Sequence, residues 1–353
     1  MSVRFRRSVK IAPGVRVNLS KRSAGVSVGG PGAHYSVNTS GRRTTSVGVP
    51  GTGLSYQKIA TGGQPRSASA GGASKSPPAP AAATIVQALP KPGWLASGVE
   101  KAYYAGVIAY LSQDLAQTVA RFEEVTAQDA SIGSAHLFAG VAAEGQGDHA
   151  RAAGHLEAIV SGGAPLPDRF MVKYLPEDRF DLRIAVKVTD LIQARPTPDA
   201  FGAALMLMEV YQASDRLEEA IGFMVQLHDA TPDRLVQLSL CDLLLADGDF
   251  EGVLEVAGGV TNDDDVAVEI LHILAVAQTG LGHVDGALAT LRTALAKTAN
   301  RDPNLLLWVR YDRALIYEQA GQHEKARADL ERVYAGDRGV ADVAERLGRP
   351  ANT

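Results

Sequence analysis

Tyr311-Asp-Arg-Ala-Leu-Ile-Tyr-Glu-Gln-Ala-Gly-Gln-His-Glu-Lys-Ala-Arg-Ala-Asp-Leu-Glu-Arg-Val333 is the stretch whose reading decides the fold. Ala314 and Tyr317 share one helical face, and Gly321-Gln322 breaks the pattern. Ala326, Leu330 and Val333 then resume it at i, i+4, i+7, the spacing of a helix with one buried side. Two short helices joined by a tight turn cannot bury both stripes alone, so further copies are expected along the chain.

The copies can be found from the small residue early in each second helix. These markers are Thr118, Ala152, Ala220, Val253, Ala287 and Ala326, at steps of 34, 68, 33, 34 and 39 residues. The step of 68 is twice 34, so one unit is hidden or replaced between Ala152 and Ala220. Residues suited to a close helix crossing stand at Gly106, Gly140, Met208, Cys241, Ala275 and Ala314. Larger ones follow at Phe122, Leu156, Met224, Leu291 and Leu330, and turn residues at Gly147-Asp148, Gly248-Asp249, Gly282-His283 and Gly321-Gln322. Over residues 99–348 this series resembles the tetratricopeptide repeat (TPR), whose period is about 34 residues with two helices per unit. Pro232 matches the family's terminal proline, which the other units mostly lack, and Arg310 and Arg313 replace apolar positions in the last unit. The fold expected is mainly α: a TPR-like α-solenoid of helical hairpins, with a small all-β N-terminal module and a short extended insertion near 180–192.

The chain has 353 residues, 46% of them hydrophobic, enough for two domains with a sizeable core in the larger. The net charge of −4 hides a split. Residues 1–59 carry +10 with no acid, whereas residues 93–353 carry −17. The two ends therefore have opposite electrostatic characters. The single cysteine, Cys241, rules out an intramolecular disulfide and lies on an apolar helical face, as a buried structural thiol would. Met1-Ser-Val-Arg-Phe-Arg-Arg7 is basic with no apolar run behind it, which argues against a secretory signal. No apolar run approaches the ~20 residues of a membrane span. A cytoplasmic protein is expected.

Residues 1–59 read as a small basic antiparallel β module. Val15–Ser20, Gly25–Gly29, His34–Asn38 and Thr45–Val49 alternate apolar and polar residues, separated by Pro13-Gly14, Gly29–Gly32, Ser40-Gly41 and Pro50–Gly53. That is the pattern of hairpins, with a core too thin to be robust alone. Phe5–Ile11, Pro13–Lys21, Gly25–Gly30 and Gly48–Tyr56 together resemble a bacterial N-terminal family known only as a domain of unknown function, DUF4236. The resemblance implies a fold and no mechanism. Residues 60–92, mostly Ala, Ser, Gly and Pro, cannot form a core and are expected to be a disordered linker with a reach of roughly 30 Å.

The region 93–353 is expected to be the TPR-like helical domain, with a degenerate unit at 161–199. There Phe180, Leu182, Ile184, Val186 and Val188 stand at strict period two, which gives a strand one apolar face and would scatter these residues around a helix. Pro165, Pro167, Pro176, Pro196 and Pro198 also oppose a helical pair. A regular helical pair is the other reading.

Catalytic and metal motifs do not survive their structural requirements. Gly25-Val-Ser27-Val-Gly29 fits a nucleophile elbow in letters, but Gly30-Pro-Gly32 follows where a helix must start. Gly29–Gly32 and Pro50–Gly53 neither open a helix nor end in Gly-Lys-Ser, so hairpin turns fit them better than phosphate loops. His149, His283 and His323 recur at starts of second helices, and no His pair stands at i, i+4. Asp263-Asp-Asp265 lacks the glycine of a calcium loop and suits a helix N-terminus. No catalytic residue, cofactor or metal is expected.

The expected function is therefore non-enzymatic protein binding or scaffolding. TPR grooves are lined by first helices, and the register places Glu100, Tyr103, Tyr110, Glu144, Glu209, Gln212, Asp242, His272, Trp308, Tyr311 and Glu318 there. The full set of such positions holds six acids and no Lys or Arg. A surface of one sign selects oppositely charged partners, so the expected ligand is a protein or peptide that is basic with apolar anchors. The chain's own N-terminal module is one candidate. The alternative is docking on nucleic acid or another anionic polymer through the basic patch of Arg4, Arg6, Arg7, Lys10, Arg16, Lys21, Arg22, Arg42 and Arg43. Only Phe5, Tyr35 and Tyr56 are aromatic there, so no stacking platform for single strands is evident.

Overall fold

A computed structural model describes residues 6–12, 15–20, 23–30, 33–38, 42–48, 54–61, 86 and 89–349, except 178–179. The expected linker lies mostly outside the described residues, as do the hairpin turns between the N-terminal strands and the side chains of the basic patch. The described residues are mainly helical. Their backbone divides into two compact units, residues 1–186 with 195–214, and residues 187–194 with 215–353.

In the first unit six strands run in sequence: β1 (Arg6–Ala12), β2 (Val15–Ser20), β3 (Ser23–Gly30), β4 (Ala33–Asn38), β5 (Arg42–Gly48) and β6 (Leu54–Thr61). Each pairs antiparallel with the next. The helices are α1 (Gly98–Leu111), α2 (Leu115–Gln128), α3 (Gly133–Glu144), α4 (His149–Val160), α5 (Arg169–Tyr174) and α6 (Ala200–Ala213). The hairpins α1/α2 and α3/α4 stack, and α6 packs on α4.

Sequence decides how closely these helices approach. A Cβ on Gly106 would lie 2.9 Å from the Phe122 ring, so α1 crosses α2 where only hydrogen fits. Phe122 in turn stacks on Phe138 with ring centres 5.1 Å apart. Between α4 and α6 the repeat gives way to α5 and to the strand β7 (Asp181–Ile184). Phe180, Leu182, Ile184, Val186 and Val188 are all buried, the outcome that period-two spacing predicts for an extended segment.

The second unit contains α7 (Leu217–Ala230), α8 (Arg234–Asp247), α9 (Phe250–Val256), α10 (Asp265–Gly280), α11 (Val284–Ala294), α12 (Pro303–Gln319), α13 (His323–Gly336) and α14 (Val343–Arg346). The short strands β8 (Val186–Lys187) and β9 (Gln193–Ala194) precede them. Here α7 packs on α8, and α8/α9, α10/α11 and α12/α13 form hairpins. The sequence register groups α6 with α7 in one repeat, whereas the structure gives α6 to the first unit and α7 to the second. The last hairpin closes over Tyr311, Ala314, Ala326, Leu330, Val333, Val340 and Val343.

All six register markers, Thr118, Ala152, Ala220, Val253, Ala287 and Ala326, are buried. The residue two positions before each second helix is equally regular. Gly147, Gly248, Gly282 and Gly321 adopt φ between 70° and 81°, and Gln113 (φ 65°) and Asp215 (φ 56°) hold the same place in the other two turns. Glycine takes this left-handed conformation without a Cβ penalty, whereas other residues are strained there. Asp114, Asp148 and Asp249 then cap the helices that follow, accepting from the backbone N–H of Gln117, Arg151 and Gly252.

These turns make a prediction with two signs. Gln113→Gly should raise stability by up to about 1 kcal/mol, and Gly282→Ala should lower it by about 1 kcal/mol. Urea midpoints of the full chain measure both, and equal shifts in one direction would refute the shared turn conformation.

Candidate protein-binding surface

The first-helix positions divide into interior and half-exposed residues. Tyr103, Tyr110, His272 and Tyr311 are buried. Glu100, Glu144, Glu209, Gln212, Asp242, Trp308 and Glu318 are half-buried. The interior members build the helix packing, and the second group keeps part of its surface exposed.

In the first unit Tyr103 sits at the centre of an aromatic cluster. Its ring lies 5.4 Å from Phe122 and 5.1 Å from Phe170, and its hydroxyl bonds Ser134 Oγ at 2.8 Å. Burial pushes its phenol well above the usual range. Tyr110 packs on Phe138 at 5.1 Å. Glu100 accepts from Lys173 and, at 2.6 Å, from the Tyr174 hydroxyl. The Lys173 hydrogen bond is the main reason its carboxyl falls below the usual range. Glu144 bonds His149 Nδ1 at 2.8 Å. Lys173 comes from the insertion, which the sequence register did not count as part of this surface. It supplies a cation that the first-helix positions alone do not contain.

Asp168 holds this corner together. One carboxylate oxygen accepts from the N–H groups of Phe170 and Met171 and so caps α5, while the other accepts from Ser134 N–H at 2.6 Å in the first turn of α3. The residue preceding α3, Ile132, has no capping side chain of its own. Beside it, His136 and His155 face each other with their Nδ1 atoms 3.2 Å apart. Burial lowers both imidazoles, so the neutral pair is favoured and its contribution falls as pH drops below the free histidine value.

In the second unit His272 lies between two carboxylates. Its Nδ1 meets Glu269 at 3.1 Å and its Nε2 meets Asp312 at 2.6 Å, while Thr189 donates to the other oxygen of Glu269 at 3.2 Å. Burial alone would lower the imidazole, but the hydrogen bonds to Asp312 and Glu269 outweigh it and raise it to about 9. Trp308 meets the Tyr311 ring edge-on at 5.9 Å, and the Tyr311 hydroxyl donates to Asp342. Glu318 accepts from Arg346 at 2.7 Å, and Arg346 also bonds Asp342 at 2.8 Å.

Arg310 and Arg313, the polar intruders in the last repeat, both face Asp329, which is only 2% exposed. Arg313 grips it with two bonds of 2.7 and 2.8 Å, and Arg310 stands 3.9 Å away. Asp263 and Asp264 approach Arg234 at 3.6 and 3.4 Å, and Asp264 caps α10. His149 and His323 begin helices and His283 precedes one. Among the described residues no group of three or more His, Cys, Asp or Glu is arranged to hold a metal ion. No helix among them is long and apolar enough to cross a membrane.

Two apolar features were absent from the sequence reading. Trp94 and Leu95, just before α1, are 87% and 76% exposed. A pocket of about 800 Å³ opens in the first unit, with Met171, Val172, Leu175, Phe180, Leu182 and Arg183 among its lining residues. Their apolar spacing is visible in the sequence, but the pocket needs residues of α5 and β7 to line one cavity.

Residues 3–57 match the model of a family described as "Protein of unknown function (DUF4236)". A TPR-like helical region follows that match. No curated protein matches the chain. Among solved structures, it is similar to the N-terminal domain of the EccA1 ATPase from the ESX-1 secretion system of Mycobacterium tuberculosis. The identity is 17%, covering 72% of this chain and 90% of that one, with a TM-score of 0.49. BtubC (BKLC) from P. vanneervenii is similar at 15% identity, over 73% of this chain and 95% of that one, with a TM-score of 0.44. The TPR2AB domain of yeast Sti1, solved as a complex with pHSP90, is similar at 10% identity, over 71% and 95%, with a TM-score of 0.27. At such identities and scores the likeness transfers no function.

Two titration and packing results follow. His272 is raised from its ordinary value of 6.5 to about 9, so its stabilising effect is complete below 6.5 and is lost as pH rises through 9. Wild type should lose on the order of 3 kcal/mol more than His272→Gln between pH 6 and pH 9.5, measured by urea unfolding. Parallel pH curves for the two proteins would refute the ion cluster. Separately, Asp329→Ala leaves the half-buried Arg313 without its carboxylate and should cost about 3 kcal/mol, seen as a lower melting temperature, and a near-neutral change would refute that role.

Proposed function

We propose that this chain is a non-enzymatic interaction or scaffold protein whose first-helix surfaces take a basic segment with apolar anchors. The observation that carries this reading is the pairing of regular helical hairpins with half-buried acids on their first helices: Glu144 and Glu209 in the first unit, Asp242 and Glu318 in the second. Helical-repeat surfaces of this kind are extended and take peptides or domains. A net charge of −17 over residues 93–353 steers basic partners toward them.

The domain organisation that goes with this reading is a basic module at 1–59, a linker at 60–92 and a helical domain at 93–353. The module, at +10, is the ligand nearest to hand, since a linker of this length holds it at roughly millimolar effective concentration. The counter-charges found on Glu100 and Glu318 narrow the acidic surface. Glu209 and Asp242 supply one half-buried first-helix acid in each unit at which to reverse the charge.

The test uses the full chain and fluorescent peptides, one alternating Arg and Leu and one alternating Glu and Leu, with a labelled DNA duplex alongside. The basic peptide should bind at low salt, the acidic one should not, and Glu209→Lys with Asp242→Lys should weaken binding at least tenfold. Equal affinity for both peptides, or indifference to the two reversals, would refute the acidic surface. DNA binding with a steep salt slope would instead favour the basic patch as the docking element.

A further inference from the structure

The strand β7 interrupts a helical-repeat region and is held firmly from one side. Ile184 N–H donates to the Pro196 carbonyl at 3.0 Å. A Cβ on Gly202, in the first turn of α6, would lie 2.2 Å from the Thr197 carbonyl oxygen and 3.0 Å from Ile184 Cδ1. Phe180, Leu182 and Ile184 anchor the segment in the core. A strand pinned in this way presents its other edge ready-formed, and backbone N–H and C=O groups along an edge need partners.

That edge is paired with β6. The register is Leu54↔Ile184, Ser55↔Arg183, Tyr56↔Leu182 and Gln57↔Asp181, antiparallel. On its other side β6 pairs with β5, from Arg42↔Thr61 to Gly48↔Ser55. The strand order is therefore β1 to β7 without a crossover, and a strand from the helical-repeat region closes the N-terminal sheet.

We propose that β7 is a strand-acceptor site of the helical-repeat region and that the chain's own β6 occupies it. Three considerations favour this occupant. The last strand of a small antiparallel sheet is an exposed edge, and covering it removes a liability for aggregation. A sheet with a thin core is marginal on its own, and one further strand anchored in a helical core steadies it. β6 belongs to the same chain, so it meets β7 at a higher effective concentration than a strand from a second molecule does. Only four residues of β7 pair, so the contact is a latch that can open. It places the basic module at the insertion, and its release frees the module for the first-helix surfaces and exposes β7.

The test is disulfide trapping in the full chain. Neighbouring pairs in an antiparallel ladder alternate between wide and close spacing, so two variants cover both geometries: Ser55→Cys with Arg183→Cys, and Tyr56→Cys with Leu182→Cys. Cys241 is buried, and burial pushes its thiol up to about 12, so it does not compete. Mild oxidation should cross-link at least one pair within a single chain. The out-of-register pair Tyr56→Cys with Arg183→Cys should stay reduced, since a one-residue slip places the two on opposite faces. No cross-link in either in-register pair, equal cross-linking out of register, or cross-links only between chains would each overturn the proposal. A second measurement avoids new cysteines: amide exchange at residues 54–57 should be slow in wild type and at least tenfold faster in Arg183→Pro. Unchanged exchange, with helical circular dichroism intact, would overturn it too.

Discussion

Close approach of paired helices at small side chains is the constraint from which the rest of this structure follows. Gly106 lies directly against the Phe122 ring, and Ala275 and Ala314 are wholly buried at the matching positions of later repeats. A close crossing fixes the axis separation, which fixes how short the turn between the two helices must be. The short turn in turn demands one residue in the left-handed region, and that demand recurs from Gln113 to Gly321. Because each hairpin leaves a second apolar face, stacking continues until the stripe ends. In the second unit it ends at α14, where Val340 and Val343 close the core over Tyr311 and Ala314.

The acidity of the helical region has two roles that net charge does not separate. Many of its aspartates are helix caps: Asp114, Asp148, Asp168, Asp199, Asp233, Asp249, Asp264 and Asp302 all accept backbone N–H groups at N-termini. A capping carboxylate also complements the helix dipole, so its charge is partly spent locally. Other acids face cations or histidine: Glu100 with Lys173, Glu269 with His272, Asp329 with Arg313. The field available to a partner is correspondingly smaller than a sum over the sequence suggests.

The repeat was legible in the sequence because helix packing imposes a period. Thr118, Ala152, Ala220, Val253, Ala287 and Ala326 kept their phase across a gap of two periods, and every one is buried. The extended run from Phe180 to Val188 was legible for the same reason, since burying one face of a strand imposes period two. Contacts between residues far apart in sequence impose no period. Nothing local marks Asp168 as the acceptor for Ser134, 34 residues away, or Asp312 as the partner of His272, 40 residues away. Arg310 and Arg313 looked like departures from the repeat, and their reason, Asp329, lies on the facing helix. Gln113 and Asp215 were invisible as turn residues because the turn selects a backbone conformation, and glycine is only the commonest way to meet it. The first-helix surface was only partly legible. Register identifies the face, but whether Tyr103 or His272 on it is open depends on the insertion, through Tyr174, Phe170 and Thr189.

The insertion is therefore where the regular pattern stops governing the molecule. A stack of identical hairpins presents one continuous stripe, and each repeat contacts only its neighbours. Replacing one repeat with α5, β7 and two short strands ends that equivalence. α6 packs back on α4, while α7 begins a second unit on α8. Each unit then has its own core and its own ionisable cluster, and the two respond to pH in opposite senses. The neutral His136–His155 pair in the first unit favours the folded state at higher pH, whereas the charged His272 in the second favours it at lower pH. A solenoid of six equivalent hairpins would have neither a sheet edge to offer nor two units with separate titration behaviour. The sheet edge lies within residues 161–199 of broken period, and so do two of the three breaks between the units.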